Sequence, residues 1–288
     1  ELAEQRRTMK HFLLKDGSKR KFDHMEIMGI INVTPDSFYA GSRTSDTEKS
    51  VERADKLIAE GATFIDIGGE STRPGAEKVS VEEEISRVCP VISAVKKKHP
   101  EILLSVDTYN AETAKAAIDA GADIINDISG LTFDENMAKV AAEAGVPVII
   151  MHTQGRPDVM QKNPHYEDVV SEVYNYLKRQ KEYAVSEGIH PEKLIIDMGI
   201  GFGKNYEHNM ALLRNMDRFA DLDCPHLLAV SRKTFIGQLL GESDPADRLY
   251  GTIAVSLFAQ FHGIELARVH DVKENFQAAR MLDALTCK

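Results

Sequence analysis

Eight times along the chain an apolar run of strand length ends on a polar or ionisable residue, and each run leads into a stretch with helical spacing. The runs are IMGIIN to Asn32, TFIDIGGE to Glu70, LLSVD to Asp107, DIINDI with Asn126 and Asp127, VPVIIMH to His152, KLIID to Asp197, LLAVSRK to Lys233 and LARVHD to His270. Several intervening helices close on glycine: Gly61, Gly121, Gly145, Gly188 and Gly263. Strand and helix in alternation imply a parallel sheet, and eight repeats let that sheet close into an α/β (β/α)8 TIM barrel. The C-terminal strand ends of such a barrel converge on one face, where the chemistry is expected.

At 288 residues and 43% hydrophobic, the chain can bury one large core, and no Pro/Gly/Ser-rich linker divides it. A single barrel over residues 27–288 is expected, preceded by an extension over 1–26. Within that extension HFLLKDGSKRKFD reads as a β-hairpin turning at Asp16-Gly17, suited to plug the N-terminal end of the barrel. A net charge of -10 argues against nucleic acid or an anionic membrane as partner, because either would call for a basic stripe.

No apolar run approaches the roughly 18 to 20 residues a membrane span needs, and ELAEQRRTMK lacks the apolar core of a secretory signal. Cys89, Cys224 and Cys287 form no CxxC pair and fit a reducing cytosol, so a soluble cytoplasmic protein is expected. The longest connections are 33–46, 69–80 and 152–165, lengths at which βα loops are functional or mobile more often than mere spacers. The helix at about 164–187 is expected to be the longest. Residues 234–263 read as a short helix, an acidic connection and a second helix.

Asp107 and Asp197 end strands after the short, mostly apolar runs LLSV and LII, and a carboxylate buried at a barrel mouth needs donors or a cation to offset its desolvation. Two readings stand for them. The parallel N–H donors of a pterin-like or guanine-like ring edge match a carboxylate in bidentate fashion, while a barrel Lys or Arg would make them structural. Asn126, at the same depth inside INDI, can read a ring edge or cap the following helix.

Ser231-Arg232-Lys233-Thr234 opens a helix with two cations and two hydroxyls, a pattern suited to an anion or to a solvated basic turn. Arg268 and His270 share one strand face by the period of two and suggest a phosphate site, with Arg73 in GESTRPG a third candidate; a buried structural pair is the alternative. His152, without a ligand partner at i+2 or i+4, fits a structural role better than a metal or general base. No nucleophile has an identifiable paired base.

The strings NVTPDSF (32–38), DIGGESTRPG (66–75), SVDT (105–108), NDI (126–128), GIGFGK (199–204), SRKTFIG (231–237) and RVHDV (268–272) closely resemble bacterial dihydropteroate synthase, in family order across the whole barrel. The resemblance implies a (β/α)8 enzyme of folate synthesis that joins 6-hydroxymethyl-7,8-dihydropterin pyrophosphate to p-aminobenzoate, releases pyrophosphate and uses Mg²⁺. It implies that Asp107, Asn126, Asp197 and Lys233 hold the pterin, with Asp107, Lys233 and Asn32 the catalytic group. Asn32 would serve the Mg²⁺ and pyrophosphate, joined on the pyrophosphate by Arg73, Arg268 and His270. Thr72, Arg73, Pro74, Lys233 and Thr234 would meet p-aminobenzoate, and a homodimer is implied.

The sequence departs from the family pattern in three places: Tyr39-Ala40-Gly41-Ser42 replaces Ser-Asp-Gly-Gly after NVTPDSF, Met198 replaces Pro, and Ala229 replaces Gly. The rivals are a corrinoid-linked methyltransferase, which has no need of the cationic residues, and a non-catalytic pterin-binding paralogue.

Overall fold

Short Ile-, Val- and Leu-rich segments pair in parallel and close on themselves in the computed structural model of the chain, which describes residues 10–33, 43–71 and 78–286. Strands β3 (Glu26–Asn32), β4 (Phe64–Gly68), β5 (Leu103–Asp107), β6 (Ile124–Asp127), β7 (Val148–Met151), β8 (Leu194–Asp197), β9 (His226–Leu228) and β10 (Leu266–Val269) follow the hairpin strands β1 (His11–Leu13) and β2 (Lys19–Lys21). The barrel closes in the order β10-β3-β4-β5-β6-β7-β8-β9. Around it lie α1 (Arg43–Ala59), α2 (Val81–Lys98), α3 (Ala111–Asp119), α4 (Met137–Ala144), α5 (Val169–Ser186), α6 (Tyr206–Arg214), α7 (Thr234–Leu240), α8 (Leu249–Phe261) and α9 (Val272–Thr286). The fold is the expected (β/α)8 barrel.

Local sequence explains the boundaries. Ser80 caps α2 by accepting from Glu83 N, and Glu82 to Glu84 at its start and Lys96 to Lys98 at its end complement the helix dipole. Asp168 caps α5 by accepting from Val170 N and Ser171 N, so the helix begins at 169 rather than 164 and only equals α2 in length. Gly61 turns the chain at φ 111 beneath the Phe276 ring, where a Cβ would lie 2.6 Å from Cγ. The run to Lys233 is not one strand: β9 stops at Leu228, and Arg232 adopts a left-handed φ of 59 before Lys233 caps α7.

Inside the barrel, Met28, Phe64, Ile124, Ile149, Ile195, Leu227 and Leu266 form an apolar layer. Phe12 and Phe22 of the hairpin join that layer, their ring centroids 6.3 and 6.4 Å from that of Phe64. Glu265 fastens the hairpin by accepting from Lys10 N at 3.1 Å, while its other oxygen accepts from His226 N at 2.8 Å. Arg20 pairs with Glu26 at the foot of β3, and Thr63 Oγ1 donates to the same carboxylate oxygen at 2.6 Å. The end of the barrel opposite the strand C-termini is thereby sealed.

Candidate active site

Inward-facing positions recur every second residue, so the next inward step above the apolar layer is fixed by sequence. Phe64 gives way to Asp66, Ile124 to Asn126, Ile149 to Met151, Ile195 to Asp197 and Leu266 to Arg268. Asp107 ends β5 directly beside Asn126 in the register of β5 with β6. A ring of carboxylates, an amide and a guanidinium therefore rests on a dry floor.

Arg268 binds the ring together. Its Nε donates to Asp66 Oδ2 at 2.5 Å and its NH2 group to Asp107 Oδ2 at 2.8 Å. Asn126 Nδ2 donates to Asp66 Oδ2 at 3.2 Å. The structural alternative for Asp107, an ion pair with a barrel Arg, is thus realised. Asp197 is 3% exposed and forms no ion pair with a described residue; its Oδ1 accepts from Gly199 N at 2.7 Å. Burial raises the Asp107 carboxyl against the pull of Arg268, and raises Asp197 to about 6 against the Gly199 N–H and the nearby Lys233 and Lys204.

Lys233 lies at the N-cap of α7 with Nζ 4.1 Å from the centroid of the Phe202 ring, a cation–π contact. Burial and the Arg268 charge lower its ammonium to about 8, opposed by Asp197 and Asp107. Thr234 begins α7 and is exposed, as is Asn32 at the mouth end of β3. His270 follows β10, its Nδ1 3.0 Å from Ser231 Oγ. Arg232 corrects the reading of its run as doubly cationic: its guanidinium is held by Asp271 at 3.0 and 2.6 Å. Thr72, Arg73 and Pro74, with Tyr39 and Ala40, lie outside the described residues.

His152, one residue past β7, takes the structural role. Lys204 Nζ approaches its Nδ1 at 2.9 Å, and burial followed by the Lys204 charge lowers the imidazole to about 2. Capping at the end of β6 falls to Asp127, which accepts from Ser129 N and Leu131 N at 2.7 and 2.9 Å, and this frees Asn126 from that duty.

Two residues escaped the sequence reading. Asp66, fully buried, sits mid-strand rather than at a strand end; an acid one inward step above Phe64 was the available signal. Lys204 follows the glycine-rich GIGFG stretch, and nothing in its spacing announces that it folds back under the loop.

The closed parallel barrel and its mouth, where Asp66, Asp107, Asp197, Asn126, Arg268 and Lys233 gather, have the architecture of a (β/α)8 enzyme, whose site lies at the strand C-termini. The model for the pterin binding enzyme family matches residues 28–270. Dihydropteroate synthase of Escherichia coli K12 is 44% identical over 272 residues, covering 94% of this chain and 95% of that protein. The structure of Xanthomonas albilineans dihydropteroate synthase with 4-aminobenzoic acid superposes with a TM-score of 0.90 at 40% identity, covering 98% of this chain and 100% of that one. The same enzyme in complex with 7,8-dihydropteroate gives 0.85 at 38% identity, covering 95% and 98%. The chain belongs to the pterin-binding enzymes and, within them, to the dihydropteroate synthase family.

Proposed function

We propose that the chain is a transferase of folate biosynthesis that joins 6-hydroxymethyl-7,8-dihydropterin pyrophosphate to p-aminobenzoate and releases pyrophosphate. The observation that carries this reading is Asp197, buried without a described ion-pair partner, two strands from Asn126 in the barrel and at the same mouth as the Asp107–Arg268 pair. Two parallel N–H donors of the pterin edge supply what that carboxylate lacks. Asp107 and the Asn126 carbonyl take the remaining ring edge, and Lys233 covers it. The relatives bound to 4-aminobenzoic acid and to 7,8-dihydropteroate support the choice of partners.

In the reaction the methylene C–O bond breaks, and the pyrophosphate leaves with the electron pair. The aniline nitrogen of p-aminobenzoate then gives its pair to the methylene carbon and loses a proton. The pterin ring delocalises the cationic character that develops between the two events, and Asp107 and Asp197 stabilise it from the floor. Arg268, His270 and Asn32 would bind the departing pyrophosphate, and Lys233 and Thr234 the p-aminobenzoate; Thr72, Arg73 and Pro74, which the resemblance assigns to the same two ligands, lie outside the described residues. The pairing of Arg268 with two carboxylates fits a guanidinium that serves the ring edge and the leaving group together.

Mg²⁺ suits Asn32, a neutral oxygen donor exposed at the mouth, because that ion takes one or two protein oxygens and completes its shell with water and phosphate. When bound it would neutralise charge on the pyrophosphate. Formation of dihydropteroate with release of pyrophosphate when both substrates are present tests the whole reading. Absence of pyrophosphate release and of dihydropteroate with both substrates present would overturn it and favour a non-catalytic pterin-binding paralogue.

No helix among the described residues is long and apolar enough to cross a membrane, and we place the enzyme in the cytoplasm. A homodimer through α7 to α9 is part of the proposal. Helix α8 buries Thr252, Ser256 and Gln260 against the protein while Tyr250 and Phe258 stand 82% and 42% exposed, an inversion that leaves an apolar face outward with Leu239, Met281 and Leu285. Sedimentation velocity would report a monomer if that face has no partner.

A further inference from the structure

The structure assigns Lys204 as a positioning residue of the pterin site: it holds the loop after β8, and through that loop Asp197 and the Phe202 ring beneath Lys233, in one arrangement. This rests on the reading of Asp197 as the pterin carboxylate.

Lys204 is 3% exposed, and its ammonium meets three close acceptors: Gly199 O at 2.8 Å, Phe202 O at 2.9 Å and His152 Nδ1 at 2.9 Å. An ammonium has three N–H donors, so each finds a partner. Two of these acceptors are carbonyls of the loop itself, and a third lies at the end of the neighbouring strand. Removing the lysine would leave the Gly199 carbonyl with only the Phe202 N–H at 3.1 Å and would take from the Phe202 carbonyl the ammonium it binds, a loss that buried backbone groups tolerate poorly.

What the loop carries connects Lys204 to the site. Gly199, whose carbonyl Lys204 holds, donates its own N–H to Asp197 Oδ1 at 2.7 Å. Phe202, held in the same way, presents its ring to Lys233 Nζ. Gly201 lies between them, and a Cβ there would sit 3.0 Å from Lys233 Cδ. The loop after β7 shares the anchorage: Gln161 Nε2 donates to Gly201 O at 2.6 Å and Tyr166 OH to Gly203 O at 2.8 Å. Lys204 lies at the centre of this lattice and acts on the pterin through Asp197 and Phe202.

The lysine also contributes charge. Asp197 is faced by Lys233 from the N-cap of α7, by Lys204 and by Arg268 from β10. Lys204 in turn is faced by Asp197, Lys233, His152 and, from α6, His208. Loss of the Lys204 charge removes one of three cations that keep Asp197 ionised.

Lys204→Met and Lys204→Gln, assayed beside the parent and Asp197→Asn, test the assignment. Lys204→Met is expected to raise KM for the pterin pyrophosphate at least about tenfold while kcat moves less than about threefold, the signature of disturbed binding rather than chemistry. The acid limb of kcat/KM should move to higher pH by at least about half a unit, because kcat/KM reports free-enzyme ionisations and Asp197 has lost a neighbouring cation. Lys204→Gln, which restores donors without charge, should recover part of the KM change and keep the displaced limb. An unmoved acid limb in folded Lys204→Met or Lys204→Gln overturns the assignment, as does failure of both to fold, which would make Lys204 a core residue. An Asp197→Asn variant with parental pterin KM would instead remove the reading of the site beneath it.

Discussion

Arg268 Nε donates to Asp66 Oδ2 at 2.5 Å across 202 residues of sequence, from a strand that β3 separates from its own in the barrel. The guanidinium continues to Asp107 on β5, so one planar side chain spans four neighbouring strands at the mouth. Asp66 has no contact with the cavity in its own right: its Oδ1 is buried without a partner among the described residues, and Oδ2 is shared by Arg268 and Asn126. It sets the plane of Arg268 and the rotation of the Asn126 amide.

Asp66→Ala should therefore destabilise the fold by about 3 to 5 kcal/mol, the cost of breaking a buried pair from one side. Denaturant unfolding measures it. A loss below about 1 kcal/mol would show that Arg268 is held by Asp107 alone.

Asp197→Asn should weaken pterin binding by about 1.5 to 3 kcal/mol, because an amide cannot accept both ring-edge donors. Calorimetry with a pterin analogue reads the change directly, and parental affinity would sink the pocket assignment.

The pH profile follows from two groups shifted toward each other. Asp197 is raised to about 6 and, in its proposed role, must be ionised to accept the pterin, so binding should be lost as pH falls through that value. Lys233 is lowered to about 8 and must be protonated over its ring and anion partners, so kcat/KM should fall as pH rises past it. A bell with limbs near these values is expected for kcat/KM of the pterin substrate. A profile flat from pH 5 to 9, about four units, would contradict both roles.

Gly199→Ala should cost most of the pterin affinity without unfolding the barrel. Gly199 has φ 69, and a Cβ would lie 1.8 Å from His152 O, so the loop must move and take its hydrogen bond to Asp197 with it. Pterin titration and a melting curve on the same protein separate the two effects.

Phe12→Ala should lower stability by about 3 to 5 kcal/mol, as truncation of a buried aromatic does, while leaving both KM values near those of the parent. Phe12 is fully buried at the far end of the barrel from Asp197. A raised pterin KM would mean that the floor transmits its packing to the site.

The barrel was legible because its rule is repetitive: a run of Ile, Val and Leu, a polar stop, a helix, a glycine. Asp107, Asn126 and Asp197 stood out because they interrupt apolar runs, and the hairpin because Asp16-Gly17 lies between apolar arms. Asp66 was hidden by the same logic, since attention to strand ends passes over an acid one step deeper. The commitment of Arg232 to Asp271 and the folding back of Lys204 depend on a left-handed residue at 232 and on glycine turns at 199, 201 and 203. Such turns direct a chain without leaving any periodic trace in it.

The hairpin beneath Phe64 closes the far end of the barrel, so on the proposed reading a ligand beside Asp197 is reached from the strand C-termini alone. Whatever seats on the floor beside Asp197 must enter before anything that occupies the rim, and the rim must clear before the floor can empty. If the proposed placement of the substrates holds, traffic is sequential by depth: pterin pyrophosphate first, the arylamine second, and the joined product last to go. Initial-rate patterns with a rim-bound arylamine analogue would show it, since that analogue should trap the floor ligand and slow its release.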